Sequence, residues 1–316
     1  MRKAFLATFL IVSSLCATVS PFASIEMSAT VKDMVLRGNN LVVATDDGRV
    51  SQYDIEHKKI SKTIFLPKIK DFIGDEVFPR VFSVDKYNHS YLLLSEAGKG
   101  GYSNLWIHEN NITIQHFYIK DKKAVIKARF VNEKHILLAY LSNEAELFDI
   151  ENHKTIFRVQ LNESKFSDFT LNEDKSQAVF SCESGILSVI DTKTGKLLQE
   201  LKGVNRDNVY KVDFKQGIVS GAGQDRRGAI YNLALGSNSF IEGSFLIYAT
   251  GLSPSAKLVA FAMDEENNIS IFNTQTKAII AKLKGQKSTL NTIIFKDEKT
   301  LFSASDDSTV LMWKLD

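Results

Sequence analysis

Cysteine is scarce in this chain: Cys16 and Cys182 are the only two among 316 residues. That excludes a disulfide framework, a cysteine-based zinc cage and a C-x-x-C-H haem attachment. Cys182 ends the apolar run Ala178–Cys182 and reads as a buried small hydrophobe rather than a reactive thiol. Proline is equally rare, and Pro21, Pro67, Pro79 and Pro254 all fall between predicted strands. There a missing N–H costs no ladder bond. All six histidines precede residue 154, and none is spaced H-x-x-x-H or H-E-x-x-H, so no helical metal motif is present. No window keeps a 3.6-residue period, and after residue 24 no apolar run approaches the length of a membrane span. Neither sign of charge dominates: 39 basic residues face 37 acidic ones. Without Arg2 and Lys3 the two counts are equal, which leaves no electrostatic footprint for nucleic acid.

The first residues carry a targeting signal. Arg2 and Lys3 precede an apolar stretch that runs from Ala4 through Val12 to Val19, too short to span a bilayer comfortably. We therefore expect residues 1–23 to be a signal peptide, with processing after Ala17 or Ala23, and a single domain over 24–316. An uncleaved anchor is the alternative. Leu15 before Cys16 is too large for a lipidation motif.

What the chain has in abundance is a repeat. Alternating apolar segments end at Tyr53, Trp106, Phe148, Ile190, Tyr231, Phe272 and Trp313, mostly followed by Asp or Asn, and after Trp106 the anchors lie 41 or 42 residues apart. A period of ~40–45 residues with four short strands per unit marks a β-propeller blade. Residues 169–201 show the unit clearly: four short strands separated by polar turns, with Gly185 and Gly195 in the second and third turns. The expected fold is all-β: a seven-bladed propeller of four-stranded antiparallel blades. The last blade runs out of chain after three strands, and Ser24–Val31 is available to close the ring as its fourth. Closure removes two open edges.

The segment Leu301-Phe302-Ser303-Ala304-Ser305-Asp306-Asp307-Ser308-Thr309-Val310-Leu311-Met312-Trp313 resembles the second half of a WD40 repeat. In that family an Asp six residues before the Trp ties the turn together. Asp307 holds this place, as do Asp47 before Tyr53 and Asp225 before Tyr231; Ser142, Ser184 and Glu266 replace it elsewhere. The family's Gly-His pair survives only as Gly285-Gln286 and Gly203-Val204. The run Gly185–Leu198 resembles the repeat of quinoprotein-type propellers, which usually have eight blades with Trp at each docking position. Two tryptophans favour seven WD40-like blades. A signal peptide followed by one propeller also resembles the accessory proteins of periplasmic nitrate reductase systems (the NapL type).

No G-x-S-x-G elbow exists, and neither Gly98-Lys99-Gly100-Gly101 nor Gly221-Ala222-Gly223 opens a helix as a phosphate loop does. The sequence therefore points to a non-enzymatic, monomeric scaffold without cofactor, which binds a periplasmic redox enzyme or its maturation factors. The alternative is a propeller enzyme, lactonase- or quinoprotein-like, with a metal or small molecule in the central channel; innermost strands such as Val81–Val84 and Thr292–Phe295 look too apolar for that. Two long loops border blade two, Pro67–Pro79 and Glu96–Ser103. Long irregular loops in compact domains are often functional. Phe72, Phe78 and Tyr102 are the expected apolar anchors for a partner, and Arg226 and Arg227 the polar contacts. Asn111 and Asn268 lie in sequons preceded by an acid two residues earlier, at predicted turns where a glycan could be attached.

Overall fold

Residues 17–316 are described in a computed structural model, and nearly every element in them is a β-strand. Arg2, Lys3, most of the apolar N-terminal stretch and Cys16 lie outside the described residues. Seven blades of four antiparallel strands follow one another, and in the first five the first strand lies at one edge of the sheet and the last at the other. The first blade is typical. Val31–Arg37 pairs with Asn40–Thr45, then Arg49–Asp54 and Lys59–Phe65. First strands of successive blades contact one another around the centre, while fourth strands face outward and are mostly exposed.

The apolar core is divided into seven clusters, one in each seam between neighbouring blades. The seam between blades seven and one holds Met34, Leu41 and Tyr53 against Phe302, Val310 and Met312. The seam between blades six and seven holds Ile269 and Leu283 against Leu301 and Trp313. A single blade cannot bury both of its faces, so stability requires the closed ring.

Closure comes from the N-terminus, as expected, through Ala23–Glu26, which pairs antiparallel with Thr309–Lys314. Ser24–Val31 is thus corrected at both ends. The strand starts one residue earlier and stops at Glu26, and Val31 already belongs to blade one. A further strand, Ala17–Val19, lies parallel to Ile279–Leu283 on the outer edge of blade six. No helix among the described residues is long and apolar enough to cross a membrane.

Blade two differs from its expected register. Its second residue on the second strand, Tyr91, faces His108, as Leu41 faces Tyr53 and Leu301 faces Trp313. His108, rather than Trp106, is therefore the repeat anchor. Trp106 stands two residues earlier on the same face of the strand, where a period of two makes the positions equivalent in pattern. The corrected register places Tyr102 six residues before the anchor, in the slot that holds the turn Asp elsewhere.

Candidate functional site

The connections between blades and those between second and third strands share one face. Pro67–Pro79 and Glu96–Ser103 meet there: a Cβ on Gly98 would strike the Lys70 carbonyl. The first loop is not irregular throughout, because Ile69–Lys70 pairs with Glu76–Val77 as a small hairpin. Its tip is organised by Asp71, whose Oδ1 accepts from the N–H groups of Ile73 (3.0 Å), Gly74 (2.8 Å) and Asp75 (2.8 Å). This holds Phe72 and Ile73 in solvent, 83% and 77% exposed. Phe78 is 50% exposed and rests against Gly48 in the neighbouring turn of blade one, beneath the Lys68 ammonium. Tyr102 is half-buried, with its ring folded over Gly100.

Arg226 and Arg227 lie on the same face but in blade five, three blades away around the ring. Arg226 is exposed. Arg227 is engaged within its own blade: its guanidinium donates to the Val204 carbonyl (2.7 Å) and lies over the Phe240 ring.

The turn aspartates are structural, but they do different work. Asp47 accepts from the Thr45 hydroxyl (2.6 Å) and pairs with Arg49. Asp307 accepts from the Thr309 N–H at 2.8 Å. Asp225 reaches furthest, binding Arg206 N–H (2.8 Å) and the Asn205 amide (3.1 Å), so it ties its turn to the incoming loop. In blade seven Gln286 fills the place of the missing His. The Trp313 indole donates to Ser303 Oγ (2.8 Å), Ser303 donates to Gln286 Oε1 (2.7 Å), and Gln286 Nε2 donates to Ser305 Oγ (2.6 Å). All four are buried.

The sequence missed the central channel, and here the expectation of apolar inner strands is corrected. A cavity of about 710 Å³ is lined by charged side chains from first strands, among them Asp33, Lys127, Arg129, Asp168, Lys211 and Asp213. It opens beside Gly38, Asn88, Lys175 and Lys215, which lie at or beyond the C-terminal ends of first strands. The mouth is thus on the face opposite Phe72.

Four of the first strands carry an Asp that staples one blade to the next. Asp33 accepts from Val84 N–H (2.9 Å), Asp85 from Phe130 N–H (2.9 Å), Asp168 from Val212 N–H (3.1 Å) and Asp213 from Leu252 N–H (2.8 Å). Cations neutralise three of them: Arg129 on Asp33 (2.9 Å), Arg37 on Asp85, and Lys127 on Asp168 with Lys211 at 3.9 Å. Burial pushes the Asp33 carboxyl up, but Arg129, then Lys127 and Lys211, outweigh it and hold it below the usual carboxylate range. Burial lowers Lys127 to about 8. Asp168 opposes that shift, and the like charges of Arg129 and Lys211 reinforce it.

Among the described residues no three His, Cys, Asp or Glu side chains are grouped to hold a metal ion. His116 stacks on His153 with ring centroids 4.9 Å apart, and burial followed by that neighbour lowers the His116 pKa. Of the two sequon asparagines, Asn111 is exposed in a turn. Asn268 is buried, and its amide donates to Asp264 and Glu266 (both 2.9 Å), which corrects the expectation of an accessible side chain.

No family model matches this chain, and neither does any curated protein. Among solved structures it is similar to the β-propeller domain of Myceliophteria thermophila Cps50 (Swd1), with a TM-score of 0.72 and 14% identity over 94% of this chain and 99% of that one. At that identity the likeness shows the fold alone, a β-propeller.

Proposed function

We propose that this protein is a non-enzymatic scaffold, exported to the periplasm, whose partner docks on the hairpin beside blade two. The observation that carries the reading is the Phe72–Ile73 tip, largely exposed yet held by three hydrogen bonds to Asp71. A preorganised apolar tip loses little entropy on binding, and an aromatic anchor seated in a partner's recess can supply much of an interface's energy. Phe78 and Tyr102 extend this patch. Arg226 is the remaining free polar contact on the same face, and it meets only a partner broad enough to cover the channel axis.

The partner we favour is a periplasmic redox enzyme or one of its maturation factors, with the nitrate reductase system as the specific case. Support comes from layout: a charged, apolar N-terminal segment followed by one propeller. Two experiments test the reading. Fractionation of the source cells should place the processed chain in the periplasm, and a full-length cytoplasmic protein would refute export. Affinity capture should recover a redox enzyme or maturation factor with the wild-type chain and lose it with Phe72→Ser/Ile73→Ser. The central-channel alternative also has an observation in its favour, the charged lining, which leads to a separate inference.

A further inference from the structure

We propose that the central channel binds a small organic anion, its acidic head held between the ammonium groups of Lys127 and Lys211. This is independent of the docking face, since the channel opens on the other side of the ring.

Charge is unevenly distributed along the channel wall. The cavity lining holds seven cations but only four acids, in a chain that is otherwise nearly balanced. Two of these groups face elsewhere: Lys86 turns to the Tyr91 ring, and Glu173 accepts from Gln216. Asp85 stands behind the wall and pairs with Arg37. Six cations and four carboxylates then remain.

The carboxylates have little capacity left. Asp33, Asp85 and Asp213 each accept one N–H from their own strand and one from the next blade. Asp168 accepts from Val212 and serves two lysines at once. An ammonium has three N–H donors and no acceptor, so Lys127 and Lys211 keep donors that the protein does not use.

The surplus is local. Arg129 is held by Asp33, Ser83 Oγ (2.8 Å) and the Ala128 carbonyl (3.0 Å). Burial loosens the hold of Lys127 on its proton, and Arg129 adds a further positive charge beside it. An anion bridging Lys127 and Lys211 offsets this repulsion through charge-assisted bonds.

Size and polarity define the ligand class. The cavity falls in the ~300–1,000 Å³ range of small-molecule sites. Blades six and seven contribute no charged side chain to its wall, only Thr250, Leu252 and Asn291–Phe295. The fitting ligand is therefore a metabolite-sized carboxylate, sulfate or phosphate ester with an uncharged body toward those blades.

Sulfate and citrate are the probes, titrated calorimetrically at constant ionic strength. Saturable binding of one ion per chain is expected at about pH 7, weakened at least about tenfold by Lys127→Met and by Lys211→Met but unchanged by Lys299→Met. Wild-type affinity for sulfate should fall toward about pH 9, as Lys127 gives up its proton near 8. Two results overturn the proposal: no saturable binding of either ion up to about 20 mM, or equal binding by both channel variants. Crystals soaked in selenate guard against a misfolded variant. An anomalous peak between the two ammonium groups supports the site, and peaks found only elsewhere refute it.

Discussion

Asp33 joins three tasks in one side chain: it pairs with Arg129, caps its own strand at Met34 and staples blade two through Val84. Asp33→Asn should therefore destabilise the ring by about 3–5 kcal/mol, because it leaves the Arg129 guanidinium buried beside a neutral amide. Urea melts at neutral pH measure this. The pH dependence has a definite sign. The folded carboxyl sits below its ordinary value, so its contribution is complete above the unfolded pKa and is lost as pH falls through the folded one. The gap between wild type and Asp33→Asn should accordingly narrow in acid below about pH 4. Lys127 gives the same sign at higher pH. Its folded pKa of about 8 lies below the unfolded 10.5. The unfolded chain then binds more protons between those values, and stability rises with pH across that window. The difference between wild type and Lys127→Met, followed from pH 7 to pH 11 by denaturant melts, should shift in favour of wild type.

Single strands decide closure. Ala23–Glu26 supplies the fourth strand of blade seven, and Ile25 and Met27 enter the seam with blade one. Deleting the chain through Glu26 should open the ring and lower the melting temperature by more than about 10 °C, because an exposed strand edge and an emptied seam result together. Processing after Ala17 would keep Thr18 and Val19 beside Lys282 and Leu283, whereas processing after Ala23 would discard that strand entirely. We expect the mature N-terminus, read by mass spectrometry, to retain Thr18.

Legibility also varied by element. The repeat unit at residues 169–201 is legible: its four strands are Phe166–Leu171, Gln177–Cys182, Leu187–Asp191 and Leu197–Leu201, with Gly185 and Gly195 in the turns between them. The register of blade two is ambiguous in the sequence because Trp106 and His108 share a face, and the larger aromatic is the stronger anchor signal. The short hairpin at Ile69–Val77 has only two residues per strand, too few to register as alternation. The channel was illegible for another reason. Asp33 and Asp168 occupy one position of the first strand, whereas Asp85 and Asp213 stand two positions further along. The staple therefore shows no constant spacing in sequence, and each Asp looks like an isolated polar residue in an apolar run.

At the scale of the whole molecule, the ring presents two separate surfaces. One carries the Phe72–Ile73 tip, and the other opens into the charged channel. Replacing both tip residues by Ser should leave stability within about 0.5 kcal/mol of wild type, since neither packs in a seam. The most direct test of the scaffold reading is affinity capture from periplasmic extract with wild type and Phe72→Ser/Ile73→Ser in parallel, combined with thermal melts of both. On that reading wild type retains a redox enzyme or maturation factor, and the variant loses at least about tenfold in affinity for it at an unchanged melting temperature. Equal capture by both proteins, or a fall in melting temperature that accounts for the loss, would contradict it.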